Sequence, residues 1–323
     1  MTKHHWQGKP YYSLDAYLKN TFGHKCYKIA LNAHMTCPNR DGTLDTRGCI
    51  FCSRGGSGDF AVSTGQKGIQ EQLREGRALF GDKQVGNHFI AYFQAFTNTY
   101  APVEYLEQVY RQALDAPEII GISIATRPDC LGAQVCTLLS QLREEYSDKF
   151  IWVELGLQTI HGSTAAYIRR GYALSCFEQA LDDLKAISIP VIVHVILGLP
   201  GETPEMILQT IRYLNRKQPF GIKLQLLHVL KDTDLADHYY QGCFDTLTKE
   251  AYLALLISCL EHLSPEIVVH RVTGDGPKEL LIAPSFSRNK RDVLNSLHQQ
   301  MRTQGSYQGR LYTSCPKAEH LER

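Results

Sequence analysis

Nothing in the 323 residues is apolar for long enough to cross a bilayer, since no run approaches the roughly 18–20 residues a membrane helix needs. The opening MTKHHWQGKPYYSLD has no apolar stretch behind its basic residues, so no secretory signal is expected and a cytoplasmic location is. Internal repeats are absent, which excludes solenoids and propellers, and no low-complexity linker divides the chain. Net charge is small too, at +1. What is present is ordinary for a soluble globular protein: 43% hydrophobic and 21% charged residues, enough for one large domain with at most a small appendage. Ten cysteines stand out. In a reducing compartment they read as metal ligands or small buried hydrophobes, not as a disulfide framework.

The charge that exists is unevenly spread. Residues 1–60 carry eight Lys/Arg against four Asp/Glu, residues 271–323 nine against five, and the middle 17 against 24. Basic ends lying side by side would offer a face for a phosphate-bearing partner; a solvated surface explains the same count equally well.

Strand-like apolar runs at 27–31, 88–93, 119–124, 150–157, 190–197 and 221–230 alternate with amphipathic stretches at 102–114, 131–145, 175–187 and 203–216. In the first of these stretches Val103, Leu106, Val109, Tyr110 and Leu114 share one helical face. Near-continuous apolar strands between helices argue for a parallel sheet covered on its outside. Six units suit a partial, three-quarter TIM-type (β/α)6 barrel, whose chemistry sits on loops after the strand ends. A core of 21–265 is expected, with a lead-in segment at 1–20. An extension at 266–323, read as one strand, a polar loop and a closing helix, would close the barrel and shape the substrate entrance. The long loop at 32–65 breaks the rhythm with turn formers, and a loop of that length needs a reason such as a metal centre.

That loop holds TCPNRDGTLDTRGCIFC, placing Cys37, Cys49 and Cys52 in a C-x11-C-x2-C spacing directly after the first strand. A C-x2-C pair turns two sulfurs toward one metal centre, and the folded loop returns the third. Three thiolates leave one iron of a four-iron cluster open, a position S-adenosylmethionine (SAM) can take through its amino and carboxylate groups. Zinc, with Cys26 or His34 as a fourth ligand, is the competing assignment.

The spacing, with Phe51 before the last cysteine, resembles the radical SAM superfamily, and more narrowly its YhcC/YtqA-like subgroup, related to the Elp3 and HemN-like branches. The likeness spans roughly residues 10–315. It implies a [4Fe–4S] cluster on Cys37, Cys49 and Cys52, SAM as cofactor, and Phe51 near the adenine. After the second strand, YFQAFTNTYAP departs from the glycine- and glutamate-bearing element usual there, offering Gln94, Thr97 and Asn98 instead. ATRPD at 125–129 resembles the ETRPD element of the Elp3-like branch, with a local Arg127–Asp129 ion pair as the plain alternative. ELGLQT puts Glu154 and Gln158 at a barrel-top edge, with Gln158 implied as a SAM contact. In RRGY, Arg170 would hold the SAM carboxylate. In VILGLPGET, Leu197, Gly198 and Leu199 would flank the adenine, while Thr203 and Pro204 begin a helix as N-cap and first residue.

Substrate handling is expected of His228 and Lys231, after the sixth strand, and of a C-terminal set of His270, Arg271, Asp275, Lys278, Lys290 and Arg291, whose cations suit phosphate or carboxylate binding. Catalytic roles therefore fall to His228, Lys231 and Arg271. Gly55–Gly58 reads as a flexible turn, and Cys315 as a structural thiol. The resemblance implies a tRNA substrate, modified on a carboxymethylaminomethyl-type wobble uridine side chain. It also implies an electron donor such as flavodoxin or ferredoxin. The alternatives are a radical SAM enzyme acting on a small metabolite, and a zinc-ribbon-bearing binding protein without redox activity.

Overall fold

Six apolar runs become parallel strands in chain order, β1 (Tyr27–Leu31), β2 (Phe89–Phe93), β3 (Ile119–Thr126), β4 (Phe150–Gln158), β5 (Val191–Leu197) and β6 (Gly221–Leu226). The computed structural model describes residues 6–56, 67–81, 88–274 and 276–313. Gly58, Asp275 and Cys315 lie outside the described residues. The run read as 221–230 is not one strand. It breaks after Leu226, and β7 (Val229–Leu230) leaves the sheet to pair antiparallel further along the chain. The sheet gains a seventh member instead, β8 (Val268–Arg271), in parallel register with β6 through Gly221↔Val268 and Ile222↔Val269. The partner of β7 is β9 (Leu281–Ala283), inside the loop expected to be polar.

Helix α1 (Leu14–Phe22) precedes the sheet. The crossovers carry α2 (Ile69–Ala78), α3 (Val103–Leu114), α4 (Ala133–Glu145), α5 (Gly162–Tyr167), α6 (Leu174–Ala186) and α7 (Pro204–Lys217). After β7 come α8 (Asp234–Tyr240) and α9 (Lys249–His262), and α10 (Lys290–Thr303) closes the described chain. In α3 the residues buried are Leu106, Val109, Tyr110, Ala113 and Leu114, the face its periodicity marks. At α7 the Thr203 side chain accepts from the Met206 N–H, with Pro204 at the first turn, as the Gly-Pro-Gly turn implies.

The sheet is curled. Glu154 on β4 accepts hydrogen bonds from Lys28 on β1 and Lys223 on β6, strands five places apart in the order. In a flat sheet those two strands would stand about 24 Å apart, at ~4.8 Å per strand. The seven strands therefore form a half-barrel whose inward side chains meet across its lumen.

Helix α1 plugs the base. Its Leu18 is buried with Ile90, Trp152 and Ile192, with Leu14, Tyr17, Phe22, Phe150 and Phe220 packed around them. The chain just before it straps the open edge. Ser13 bridges to Val269, and the Val269 N–H donates to the Tyr12 carbonyl at 2.7 Å. Gln308 fastens the strap, accepting from the Tyr12 N–H at 2.8 Å while its amide donates to the carbonyls of Ser264 (2.7 Å) and Ile267 (2.9 Å). Among the described residues no helix is long and apolar enough to cross a membrane.

Candidate active site

Above the plug the half-barrel holds a cavity of about 800 Å³. Its upper wall is the loop after β1, and Cys37, Cys49 and Cys52 all line it. The loop is built from short turns. Backbone N–H groups of Arg40 and Asp41 donate to the Cys37 carbonyl, Gly48 donates to Asn39, and Cys52 donates to Cys49 at 2.9 Å. Arg40 folds under it and donates to the carbonyls of Cys52 (2.9 Å) and Ser53 (2.5 Å). Gly48 is required there: at φ 81° its Cβ would lie 2.9 Å from Arg40 Nε.

Two separated motifs, RRGY and ATRPD, pack around this loop. The Asn39 amide donates to the Arg169 carbonyl at 2.7 Å and to Cys49 Sγ at 3.4 Å. Gly171, at φ 84°, lets RRGY approach so closely that a Cβ would stand 2.8 Å from Asn39 Oδ1. Arg127 of ATRPD forks onto Asp129 at 2.9 and 2.7 Å, so the local ion pair exists, and it lies 5.0 Å from the Tyr172 ring centroid. Arg170 lines the cavity, yet its guanidinium donates to the backbone carbonyls of Leu157, Thr159 and Tyr172 at 2.7–3.1 Å. In this structure it pins the end of β4.

Burial first, then the neighbouring Cys52, pushes the Cys49 thiol up to about 12, against the pull of Arg127 and Asn39. A thiol buried in this way ionises only beside a strongly positive centre, which fits metal ligation. Among the described residues no three His, Cys, Asp or Glu side chains gather tightly enough for a single metal ion. Thiols spread along a wall suit a multi-iron cluster, where each thiolate takes a different iron. Cys26 sits beside His24 at the other end of β1, in the base cluster, so it is no fourth ligand to these thiols. His34 is exposed and lies 3.4 Å from the Lys67 carbonyl.

Phe51, Gln94, Thr97 and Gln158 also line the cavity. Gln158 is the most telling of these. It ends β4 at φ 65°, beyond a register shift, and its Oε1 is buried without a hydrogen-bond partner among the described residues. A strained residue on the cavity wall with an unsatisfied buried acceptor is a candidate ligand position. Asn98 is turned away, its amide donating to the Ala125 carbonyl at 3.0 Å. The expectation for Leu197, Gly198 and Leu199 concerns their backbone, and their side chains point elsewhere. Alternation along β5 sends Leu197 into the outer core, Gly198 turns the chain, and Leu199 packs with Ile50 behind the cysteine loop; Ile196 faces the cavity. His228 and Arg271 line the cavity, and so do Lys278 and Lys290. Lys231 does not. The break before β7 carries the chain outward, leaving Lys231 exposed with its N–H on the Leu280 carbonyl, followed by Asp232 at φ 59°.

Sequence reasoning missed the layer midway down the lumen. Around the fully buried Glu154 stand Lys28, Tyr92, Ser123, His194 and Lys223, one from each of five strands. Oε1 accepts from Lys28 at 2.9 Å and Ser123 at 2.7 Å; Oε2 accepts from Lys223, from His194 at 2.7 Å and from Tyr92 at 3.1 Å. Burial alone would raise the Glu154 carboxyl, but Lys223, then Lys28 and His194, hold it well below the usual range. Burial and then Lys223 push His194 down to about 4, and burial with Lys28 pushes His270 well below its ordinary value. The signal was one polar residue at mid-strand in YKIAL, FIAYF, VIVHVIL and GIKLQL.

These neutral histidines carry a stability prediction. A lowered folded pKa gives stability that is complete above the unfolded value of ~6.5 and lost as pH falls toward the folded one. Denaturant midpoints should therefore drop on acidification from pH 7 to 5. His194→Gln should flatten that dependence by up to about 1.4 kcal/mol per pH unit, read from urea melts at half-unit steps.

The radical SAM superfamily model matches residues 46–214, and a radical SAM C-terminal domain model matches residues 219–303. YtqA of Bacillus subtilis (strain 168) is 42% identical over 304 residues, covering 94% of this chain and 93% of that protein. YhcC of Escherichia coli K12 is 33% identical over 273 residues, 84% and 86% of the two chains. More distantly, the tRNA uridine(34) acetyltransferase of Dehalococcoides mccartyi is 26% identical over 189 residues, 57% of this chain and 40% of that one. Among solved structures, the Elp3 of the archaeon Methanocaldococcus infernus shares the fold with TM-score 0.66 at 16% identity, over 88% of this chain and 64% of its own.

Proposed function

Because the chain belongs to the radical SAM superfamily, in the Elp3-related YhcC/YtqA-like group, we propose that it modifies the side chain of a tRNA wobble uridine of carboxymethylaminomethyl type. It is an enzyme of the family that uses a [4Fe–4S] cluster and SAM. Bound together, these supply a 5′-deoxyadenosyl radical that takes a hydrogen atom from the substrate.

In this reading Cys37, Cys49 and Cys52 hold the cluster, supported above all by their shared position on the cavity wall. Asn39 directs an N–H at Cys49 Sγ and Arg40 fixes the loop beneath. Gln158 receives a donor from SAM at its orphaned oxygen, with Phe51, Gln94 and Thr97 forming the shelf. His228 and Arg271 face the substrate. The RNA assignment draws on the distant relative named for tRNA uridine(34) and on the basic residues at both chain ends. A flavodoxin- or ferredoxin-type donor supplies the electron.

The test is anaerobic incubation of the iron-loaded protein with dithionite, SAM and bulk tRNA, followed by nucleoside mass spectrometry. Release of 5′-deoxyadenosine together with loss of a carboxymethylaminomethyl nucleoside is expected. Deoxyadenosine without any tRNA change would move the substrate to a small metabolite, and none under any condition would overturn the radical reading.

A further inference from the structure

The mid-lumen layer carries more positive charge than it pairs. Three cations reach it, Lys28 from β1, Lys223 from β6 and Arg271 from β8, opposite Lys223 in the register. One carboxylate answers them, and both oxygens of Glu154 are already occupied by the donors named above. His194 and His270 contribute no charge near neutral pH, being held neutral by burial and the nearby lysines. Burial pulls Lys223 well below its ordinary value as well, so the charges that remain are Lys28 and Arg271 against the one carboxylate, and among the described residues one positive charge is left over.

The leftover charge faces the cavity. Lys223 is sealed, 3% exposed and donating to Tyr92 Oη at 2.9 Å. Lys28 and Arg271 both line the cavity, together with Tyr92, Glu154, His194 and Gln225. The Lys28 ammonium lies 4.4 Å from the Tyr92 ring centroid, and the Arg271 charge acts on Tyr92, His194 and Lys223. Arg271 has no carboxylate partner among the described residues. Among the described residues the lining repeats the bias, with eight Lys/Arg and one acid, Glu154. A guanidinium that faces a cavity without a carboxylate partner is a ready site for an anion.

We propose that Arg271 and Lys28 form a receptor, deep in the lumen below the cysteine loop, for a carboxylate carried by the substrate. A forked guanidinium beside an ammonium matches the two oxygens of that group. A backbone phosphate of RNA stays with its chain outside, whereas a slender side chain ending in a carboxylate reaches the layer. The inference rests on the reading above, in which the substrate is a modified uridine side chain, and it assigns the end that is recognised. The methionine carboxylate of SAM is the other source of the same chemistry.

The test uses full-length, cluster-loaded protein under anaerobic conditions and two probes, 5-carboxymethylaminomethyluridine and its carboxamide, with binding read by equilibrium dialysis. The acid should bind about ten-fold or more tightly than the amide. Arg271→Gln should bring the two together by weakening the acid alone, and Arg271→Lys should restore part of the difference. Lys28→Gln provides a second variant should Arg271→Gln fail to fold, with thermal melts as the check. Equal binding of acid and amide by the parent, or equal loss of both in the variant, overturns the receptor. So does a loss of SAM affinity in Arg271→Gln with the acid preference intact, which would give the arginine to the cofactor's carboxylate. An Arg271-dependent acid preference without any change in tRNA keeps the receptor and rejects the RNA reading; tRNA processing without acid preference does the reverse.

Discussion

Cys37→Ala, Cys49→Ala and Cys52→Ala should each abolish the brown colour and broad visible absorbance of the anaerobically prepared protein, with iron falling from roughly four atoms per chain toward none. Each loss removes one of three anchors, and two thiolates do not hold a four-iron cluster. Cys136→Ala, Cys176→Ala, Cys243→Ala and Cys259→Ala should leave the absorbance intact, because none of these residues lines the cavity. Cys130→Ala is the sharpest control. Its thiol is close enough to feel the charge of Cys37, and burial foremost pushes it up to about 12, yet it faces Asp129 and not the cavity. Iron and absorbance retained in all three of the first set would remove the basis for assigning the centre to this loop.

The second large effect is expected at Glu154. Glu154→Gln keeps the shape and removes, among the described residues, the one carboxylate paired with Lys28 and Lys223, leaving the buried Lys223 uncompensated. Breaking one side of a buried pair typically costs about 3–5 kcal/mol, whereas replacing both sides by apolar groups of similar size is often neutral. Urea melts should accordingly show a severe loss for Glu154→Gln and substantial recovery in Glu154→Met/Lys223→Met, where Lys28 can still turn its ammonium toward the cavity. A single variant as stable as the parent would mean that Lys223 is neutral in the folded protein and that Glu154 does not organise the layer. Because the layer also supports the proposed receptor, these melts should precede any binding measurement.

Much of the barrel was legible because parallel strands covered by helices must be apolar on both faces. FIAYF and VIVHVIL have no other reading at that length, and their boundaries fall within a residue or so of the observed β2 and β5. The run 221–230 misled because its apolar character continues through Leu227 and Val229, while the break depends on where β9, some fifty residues later, is available to pair. Val268–Arg271 was readable as a strand, but its membership of the sheet is a register fact that four residues do not encode. The cysteine loop was legible because ligand spacing is local. The charged layer was not, since Lys28, Tyr92, Glu154, His194 and Lys223 are single polar residues in five separate strands, and only curling brings them to one carboxylate. Lys231 was misplaced for the same reason as β6: a residue at the end of a supposed strand points wherever the next turn sends it.

The plug at the base has a further consequence, for how the polypeptide is made. Helix α1 leaves the ribosome before the surfaces it packs against, which belong to Ile90, Trp152, Ile192 and Phe220, and the strap beside it waits for Val269 and Gln308. Its apolar face thus has nowhere to dock until most of the chain has been synthesised, a long-range closure of the kind that slows folding and exposes partly made chains to aggregation. The thiols of the loop after β1 emerge in that same interval, with the lumen still open below them. Assembly of the metal centre and sealing of the barrel are in this way set in temporal order by the position of one nine-residue helix.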